Sequence, residues 1–156
     1  MTQSPITATS IDAIMGKTIY PEPYASKVSG RLKRKLGGRF GLTHFDVNLT
    51  HLAPGAMSGL RHSHSKQDEF IYILEGTPTL ILGDDEFVLS PGECHGYPAG
   101  TGIAHHLVNR SPETVTYIEV GDRSPDDEVE YPDDDLKATL LCNGEWKVTH
   151  KDDRPY

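Results

Sequence analysis

Two histidines separated by a single residue form the first pattern that could do chemistry. His62 and His64 stand at positions i and i+2, so on a β-strand both imidazoles project from one face, with Cα atoms about 7 Å apart. At that spacing two imidazole nitrogens can bind one divalent metal ion. The alternative is an exposed strand that carries two histidines without a ligand, and the pair alone does not decide between them.

A carboxylate and a further histidine could complete such a site. Glu69 starts the next predicted strand after a four-residue turn, residues 65–68, so its side chain can return beside the two imidazoles; alternatively it is an edge glutamate facing solvent. His105 and His106 are the candidates for a fourth ligand. Because adjacent strand residues point to opposite faces, only one of them can join the site, and these residues leave the choice open.

Short strands must position these side chains. Apolar or alternating runs recur between Gly and Pro turns, and residues 40–121 contain no helical period, which is typical of an all-β sandwich or barrel. In the first run Phe45, Val47 and Leu49 share one face. His44, Asp46, Asn48 and Thr50 share the other, and we expect the first three to be surface or, alternatively, to line the mouth of the barrel. The predicted strands are 40–52, 69–76, 79–83, 86–90, 104–109 and 114–121.

The two ends of the sequence differ from this strand-rich region. Residues 1–25 are polar, contain three prolines and show no sustained period, so we predict an N-terminal arm laid over a single domain of residues 26–156. Eight carboxylates and one arginine give residues 122–135 a charge of -7 out of a net -8. This acidic extension leads to a segment at 140–148 that fits either a helix or a final strand.

Residues 31–39 have the opposite, positive charge. We expect this stretch to be a solvated or salt-bridged surface that faces the acidic segment; the alternative is a positive rim that guides an anionic substrate to a pocket. Its basic residues are Arg31, Lys33, Arg34, Lys35 and Arg39. Because the chain as a whole is acidic, we expect no nucleic-acid partner.

The composition also predicts the compartment. No window approaches the ~18 to 20 apolar residues of a membrane span, and the first residues lack a basic start followed by an apolar run. Cys94 and Cys142 do not form the disulfide framework of a secreted mini-protein and are expected to be free thiols. We therefore expect a cytoplasmic protein without a membrane partner.

Two separated motifs resemble those of the cupin superfamily. The first is Pro54-Gly55 followed by His62-x-His64-x4-Glu69-x6-Gly76, and the second is Gly92-x5-Pro98-x-Gly100 followed by His105-x3-Asn109. The resemblance covers residues 40–121, the expected core of the barrel, and implies a double-stranded β-helix, or jelly-roll barrel. Two spacings depart from the usual pattern. Six residues instead of five separate Gly55 from His62, and four instead of two separate Gly100 from His105.

The resemblance also implies a ligand set. In cupins the matching residues bind a single metal, which assigns His62, His64, Glu69 and His105 as ligands and turns His106 away, although the longer loop makes His106 a competitor. Three imidazoles and one carboxylate suit a divalent Mn, Fe, Co, Ni or Zn ion and leave one or two positions open.

Residues around the predicted ligands allow alternative roles. Asn109 could support a ligand or satisfy buried backbone, and Tyr72, which projects opposite Glu69, is expected at a sheet or dimer contact. Arg61 and Lys66 are the charges nearest the ligands in sequence and could bind an anion.

The expected function is that of a metal-dependent enzyme on a small oxygenated, anionic substrate. Small cupins that resemble this sequence are often provisionally named sugar-phosphate isomerases, and cupins also include decarboxylases and dioxygenases. In such an enzyme, Glu69 or a metal-bound water would move a proton. The alternative is a non-catalytic cupin that binds a metal or small ligand. Because exposed sheet edges and faces favour pairing, we expect a homodimer.

Overall fold

Antiparallel strands make up most of the chain, as the alternating runs predict. A computed structural model describes residues 3–156, so residues 1 and 2 of the predicted arm lie outside the described part. Helical structure is limited to a 3₁₀ turn at Ala8–Ser10 and the single turns α1 (Tyr24–Lys27) and α2 (Leu36–Arg39). The strands are β1 (Ile14–Met15), β2 (Arg31–Lys35), β3 (Phe45–Leu52), β4 (Ser63–His64), β5 (Glu69–Glu75), β6 (Thr79–Leu82), β7 (Asp85–Val88), β8 (Cys94–Tyr97), β9 (His105–Val108), β10 (Val115–Asp122), β11 (Glu128–Glu130), β12 (Lys137–Leu140) and β13 (Trp146–Thr149).

The strands form one large sheet and two smaller ones. The large sheet has the order β1-β2-β3-β10-β5-β8, and the smaller sheets have the orders β13-β12-β11-β4 and β7-β6-β9. A single bridge joins the smaller sheets: the His62 amide donates to the His105 carbonyl at 3.1 Å, and the His105 amide donates back at 2.8 Å. The joined sheets cover the large one, giving the jelly roll that the sequence predicts.

Apolar side chains from both layers fill the space between them. In the main core Ile73 and Tyr117 of the large sheet pack with Leu80 and Leu107 of the opposite layer, each at most 2% exposed. A second core lies under the C-terminal hairpin, around Leu136, and includes Tyr20 and Tyr24 of the N-terminal segment and Trp146 of β13. The arm and the C-terminal extension therefore pack against the barrel.

The polar face of β3 is buried in the second half of the strand, together with Leu49 of the apolar face. Asn48 is 8% exposed and Thr50 is fully buried, whereas Phe45 is 41% exposed. The register explains this difference, because Thr50 lies opposite Tyr117, the aromatic residue at the centre of the core, and so points inward. The expectation of plain surface holds for His44, which is exposed. It is wrong for Asp46 and Asn48, which line the barrel cavity as the alternative predicts.

The charged segments do not pair with each other. The basic stretch forms β2 and ends at α2, where Arg34 donates to the Ile11 carbonyl and Lys33 forms an ion pair with Glu119. The predicted salt-bridged surface is therefore present, but the partner of Lys33 is Glu119 and not a carboxylate of residues 122–135. Carboxylates of the acidic segment instead pair with Lys27, Arg61 and His150 (Asp134, Asp133 and Asp135, at 2.7 to 2.8 Å).

The C-terminal segment forms strands. Segment 140–148 belongs to the β12-β13 hairpin.

The outer face of the large sheet is apolar along β5. Phe70, Tyr72 and Leu74 are each 40 to 41% exposed, so Tyr72 lies on the outer sheet face, opposite to Glu69. No helix in residues 3–156 is long and apolar enough to span a membrane.

Candidate metal centre

Four side chains from three strands meet at one end of the barrel. His64 belongs to β4, Glu69 begins β5 and His105 begins β9, while His62 is held by its reciprocal backbone hydrogen bonds to His105. That bridge puts the His62 and His105 rings side by side, with centroids 4.9 Å apart. Two segments far apart in sequence are thus fixed to each other by main-chain geometry.

The ligand atoms converge on one carboxylate oxygen. Glu69 Oε2 lies 2.9 Å from His105 Nε2 and 3.5 Å from Nε2 of both His62 and His64. Ligand atoms of His62, Glu69 and His105 all lie within 4.8 Å of one another. His64 lies outside that tight trio but shares its central oxygen.

The other ring nitrogen of each histidine is occupied by an acceptor. His62 Nδ1 donates to the Leu60 carbonyl at 2.7 Å and His64 Nδ1 to Asp127 at 2.5 Å, while His105 Nδ1 makes a longer contact of 3.5 Å with the Ile103 carbonyl. With the proton on Nδ1, each Nε2 presents a lone pair. Four acceptor atoms then face one another, an arrangement that a cation stabilises.

Asp127 fixes both His64 and the turn that leads to Glu69. Its side chain is fully buried; Oδ2 accepts the hydrogen bond from His64, and Oδ1 accepts the amides of Lys66 and Gln67 at 2.7 and 3.2 Å. A carboxylate that binds a metal-ligating histidine sets its tautomer and ring orientation. Sequence reasoning missed Asp127, because it is one of eight carboxylates in an acidic run that otherwise reads as solvent-exposed.

The pKa shifts of Glu69 and His105 favour metal-binding protonation states, and that of His64 does not. Burial alone would raise the pKa of Glu69, but its contacts with the His105 and His62 imidazoles hold it well below its usual range. Burial lowers the pKa of His105 and outweighs its contact with Glu69. For His64 burial is the largest effect and lowers the pKa, but the Asp127 hydrogen bond and the charges of Glu69 and Asp127 together raise it above its usual value. A carboxylate at Glu69 and a neutral imidazole at His105 are the forms that bind a metal.

Tyr97 supports the site from the side. Its ring stacks on His105 with centroids 3.6 Å apart and planes only 4° from parallel, and it lies opposite Glu69 in the β5-β8 register. Burial raises the pKa of the Tyr97 phenol, so the ring packs as an uncharged group. This packing restricts the rotation of His105, and the sequence offered no signal for it.

A polar cavity of about 300 Å³ opens beside the four ligands, the lower end of the range for small-molecule sites. Its lining includes Arg31, Lys33, Asp46, Asn48, Glu119 and Asp122. Arg31 donates to the carbonyls of Ser58 and Lys17. Two residues of the basic stretch therefore line the cavity, and the positive rim that guides an anionic substrate stays a prediction.

The remaining candidates take other positions. His106 Nδ1 contacts the Gly59 carbonyl at 3.0 Å, away from Glu69. Asn109 is fully buried and donates to the carbonyls of Leu52 and Glu113, so it satisfies backbone. Arg61 binds Asp133, and neither Arg61 nor the exposed Lys66 is among the described residues lining the cavity.

Comparison with known proteins identifies the family. The cupin domain matches residues 48–121. A sugar phosphate isomerase from a cupin superfamily, from Silicibacter pomeroyi DSS-3, is 35% identical over 98% of this chain and 96% of its own, with a TM-score of 0.91. The chain belongs to the cupin superfamily. No curated protein matches its sequence.

Other solved structures show how widely this fold is used. A protein from Acidithiobacillus ferrooxidans, provisionally named a sugar phosphate isomerase, is 31% identical over 81% of this chain and 80% of its own, with a TM-score of 0.72. The polyketide cyclase RemF from Streptomyces resistomycificus is 24% identical over 78% of this chain and 80% of its own, with a TM-score of 0.62. The latter likeness concerns the fold alone.

Replacing Asp127 by Asn should weaken metal binding by about 10- to 100-fold, because His64 loses the carboxylate that orients it. The measurement is a competition titration of Co²⁺ or Zn²⁺ against a chromophoric chelator. Asp126→Asn is the matched control, since Asp126 is the exposed neighbour, and it should leave the affinity unchanged. Equal affinities for both variants would show that Asp127 does not orient His64.

Proposed function

We propose that this cupin binds one divalent transition metal, among Mn, Fe, Co, Ni and Zn, through His62, His64, Glu69 and His105. The observation that carries the proposal is the meeting of three imidazole Nε2 atoms at Glu69 Oε2, at 2.9 to 3.5 Å. Three nitrogens and one oxygen match the ligand preferences of these ions and leave room for a substrate oxygen.

We propose further that the protein is an enzyme acting on a small oxygenated substrate. When bound, the metal supplies Lewis-acid polarisation of a substrate oxygen. An anionic substrate group, which the sequence predicts, would bind on the metal side of the cavity. Glu69 faces the imidazoles through Oε2, so Oε1 is the atom at which it would hold or move a proton.

The character of the cavity favours an enzyme over a non-catalytic binding module. We expect a module that only stores or senses a ligand to have a sealed apolar or fully coordinated site, whereas this cavity is polar and has carboxylates beside the ligand cluster. The isomerase name of the Silicibacter relative supports an isomerisation, in which a proton moves between neighbouring carbons without an external oxidant. Decarboxylase and dioxygenase chemistry are the competing outcomes of the test.

Metal analysis of matched histidine variants tests the ligand assignment. Elemental mass spectrometry of the native protein should give one divalent metal per chain, with most of it lost in His64→Ala and His105→Ala. His106→Ala should keep its metal, because its ring contacts Gly59 and not Glu69. If His105→Ala kept its metal and His106→Ala lost it, the fourth ligand would be His106 and not His105. The metal-loaded native protein is then screened on sugar phosphates, free sugars, keto acids and diketones, and conversion of none would argue against an enzyme.

We also propose a cytoplasmic homodimer that pairs through the outer face of β5. Phe70, Tyr72 and Leu74 form an apolar strip there, each about two-fifths exposed, and such strips commonly mark interfaces. Light scattering after size exclusion should give twice the chain mass, and Tyr72→Glu should halve it. A native protein of single-chain mass would refute the dimer.

A further inference from the structure

A second polar cluster lies in the cavity, around Glu119 of β10. Asn48 Nδ2 donates to Glu119 Oε1 at 3.1 Å and the Tyr117 hydroxyl to Oε2 at 3.3 Å, while Lys33 Nζ forms an ion pair with Oε1. The side chains of Lys33 and Glu119 remain 25% and 21% exposed. Three donors from three strands thus hold one carboxylate at the cavity wall.

Asn48 donates to this carboxylate while its own side-chain carbonyl oxygen accepts no hydrogen bond from the described residues. Its side chain is 8% exposed, and its Oδ1 has no partner among the described residues. Leaving a buried carbonyl oxygen unpaired costs free energy, and such groups call for an explanation. Here the amide orientation is set by donation to Glu119, so the position of Glu119 takes precedence over the pairing of Asn48.

The register puts this cluster within reach of a molecule bound at the metal centre. Glu69 lies opposite Gly121, and Glu119 is the next inward residue of the same strand, about 7 Å further along. Between them Gly121 has no side chain, and a Cβ there would lie 3.8 Å from Glu69 Cγ. A chain of a few carbon atoms bound beside Glu69 therefore extends over bare backbone to Glu119.

The charges of the cavity disfavour a phosphate at that far end. Of its two cationic lining residues in the described part of the chain, Lys33 is neutralised by Glu119 and Arg31 donates to two carbonyls. A phosphate monoester carries about -1.5 to -2 charge near pH 7 and would meet the Glu119 carboxylate. A hydroxyl group fits instead, because it donates to Glu119 and accepts from Lys33.

We propose that Lys33, Asn48 and Glu119 form a hydroxyl-binding subsite, and that the ligand is a polyhydroxylated compound that is uncharged at the end distant from the metal. This rests on the proposed metal site, which would bind the carbonyl or acidic end. The subsite would make the protein select free sugars or sugar acids over sugar phosphates.

Calorimetry on the metal-loaded protein with matched ligand pairs tests the subsite. The probes are D-fructose with D-fructose 6-phosphate and D-xylulose with D-xylulose 5-phosphate. The native protein should bind the unphosphorylated member of at least one pair 10-fold or more tightly. Glu119→Gln should weaken that binding about 10-fold and strengthen binding of the phosphorylated member, because Lys33 loses its counter-charge. Glu86→Gln, which removes an exposed carboxylate paired with Arg110, should change neither.

Several outcomes overturn the proposal. They are tighter binding of the phosphorylated members by the native protein, equal effects of Glu119→Gln on both members, and binding of neither member of either pair. If Glu119→Gln does not fold, Lys33→Gln takes its place, and this variant must bind both members of the pair more weakly than the native protein. Metal content is measured on the same samples, so a protein without metal refutes the proposed function, whereas a metal-loaded protein without this selectivity refutes the subsite alone.

Discussion

Mutual repulsion among acceptor atoms is the constraint around which this barrel is organised. The Nε2 atoms of His62, His64 and His105 point at Glu69 Oε2, and each has an acceptor beside its Nδ1 atom. In the tautomer that binds a metal, with the proton on Nδ1, every Nε2 presents a lone pair, and that arrangement is unfavourable without a cation. The surrounding structure must therefore supply the rigidity that holds the four groups together, and a cation supplies the attraction.

The fold provides that rigidity from segments that are remote in sequence. The bridge between His62 and His105 is both the seam that joins the two smaller sheets and the frame of the ligand cluster. Asp127, 63 residues beyond His64, ties the acidic extension to the same cluster, and Tyr97 adds a stacked ring against His105. Fold closure and ligand geometry consequently depend on the same contacts, so each stabilises the other.

The sequence predicted the parts of this arrangement that depend on local pattern. Period-2 runs located most strands of the barrel core, and the spacing of two motifs, through their resemblance to cupins, named the residues that the structure brings together. The environment of Asn48 on β3 was predicted wrongly, because a polar position was equated with solvent, whereas Asn48 is buried and lines the cavity. Asp127 could not be singled out, since only the tertiary structure distinguishes it from the other carboxylates of its run.

Anomalous diffraction from a crystal of the metal-loaded protein tests the central claim most directly. The account predicts one strong peak per chain, about 2.0 to 2.2 Å from Nε2 of His62, His64 and His105 and from one oxygen of Glu69. A peak bound elsewhere, such as at the exposed pair of His150 and Asp135, or a fully loaded crystal without a peak among the three imidazoles, would contradict it.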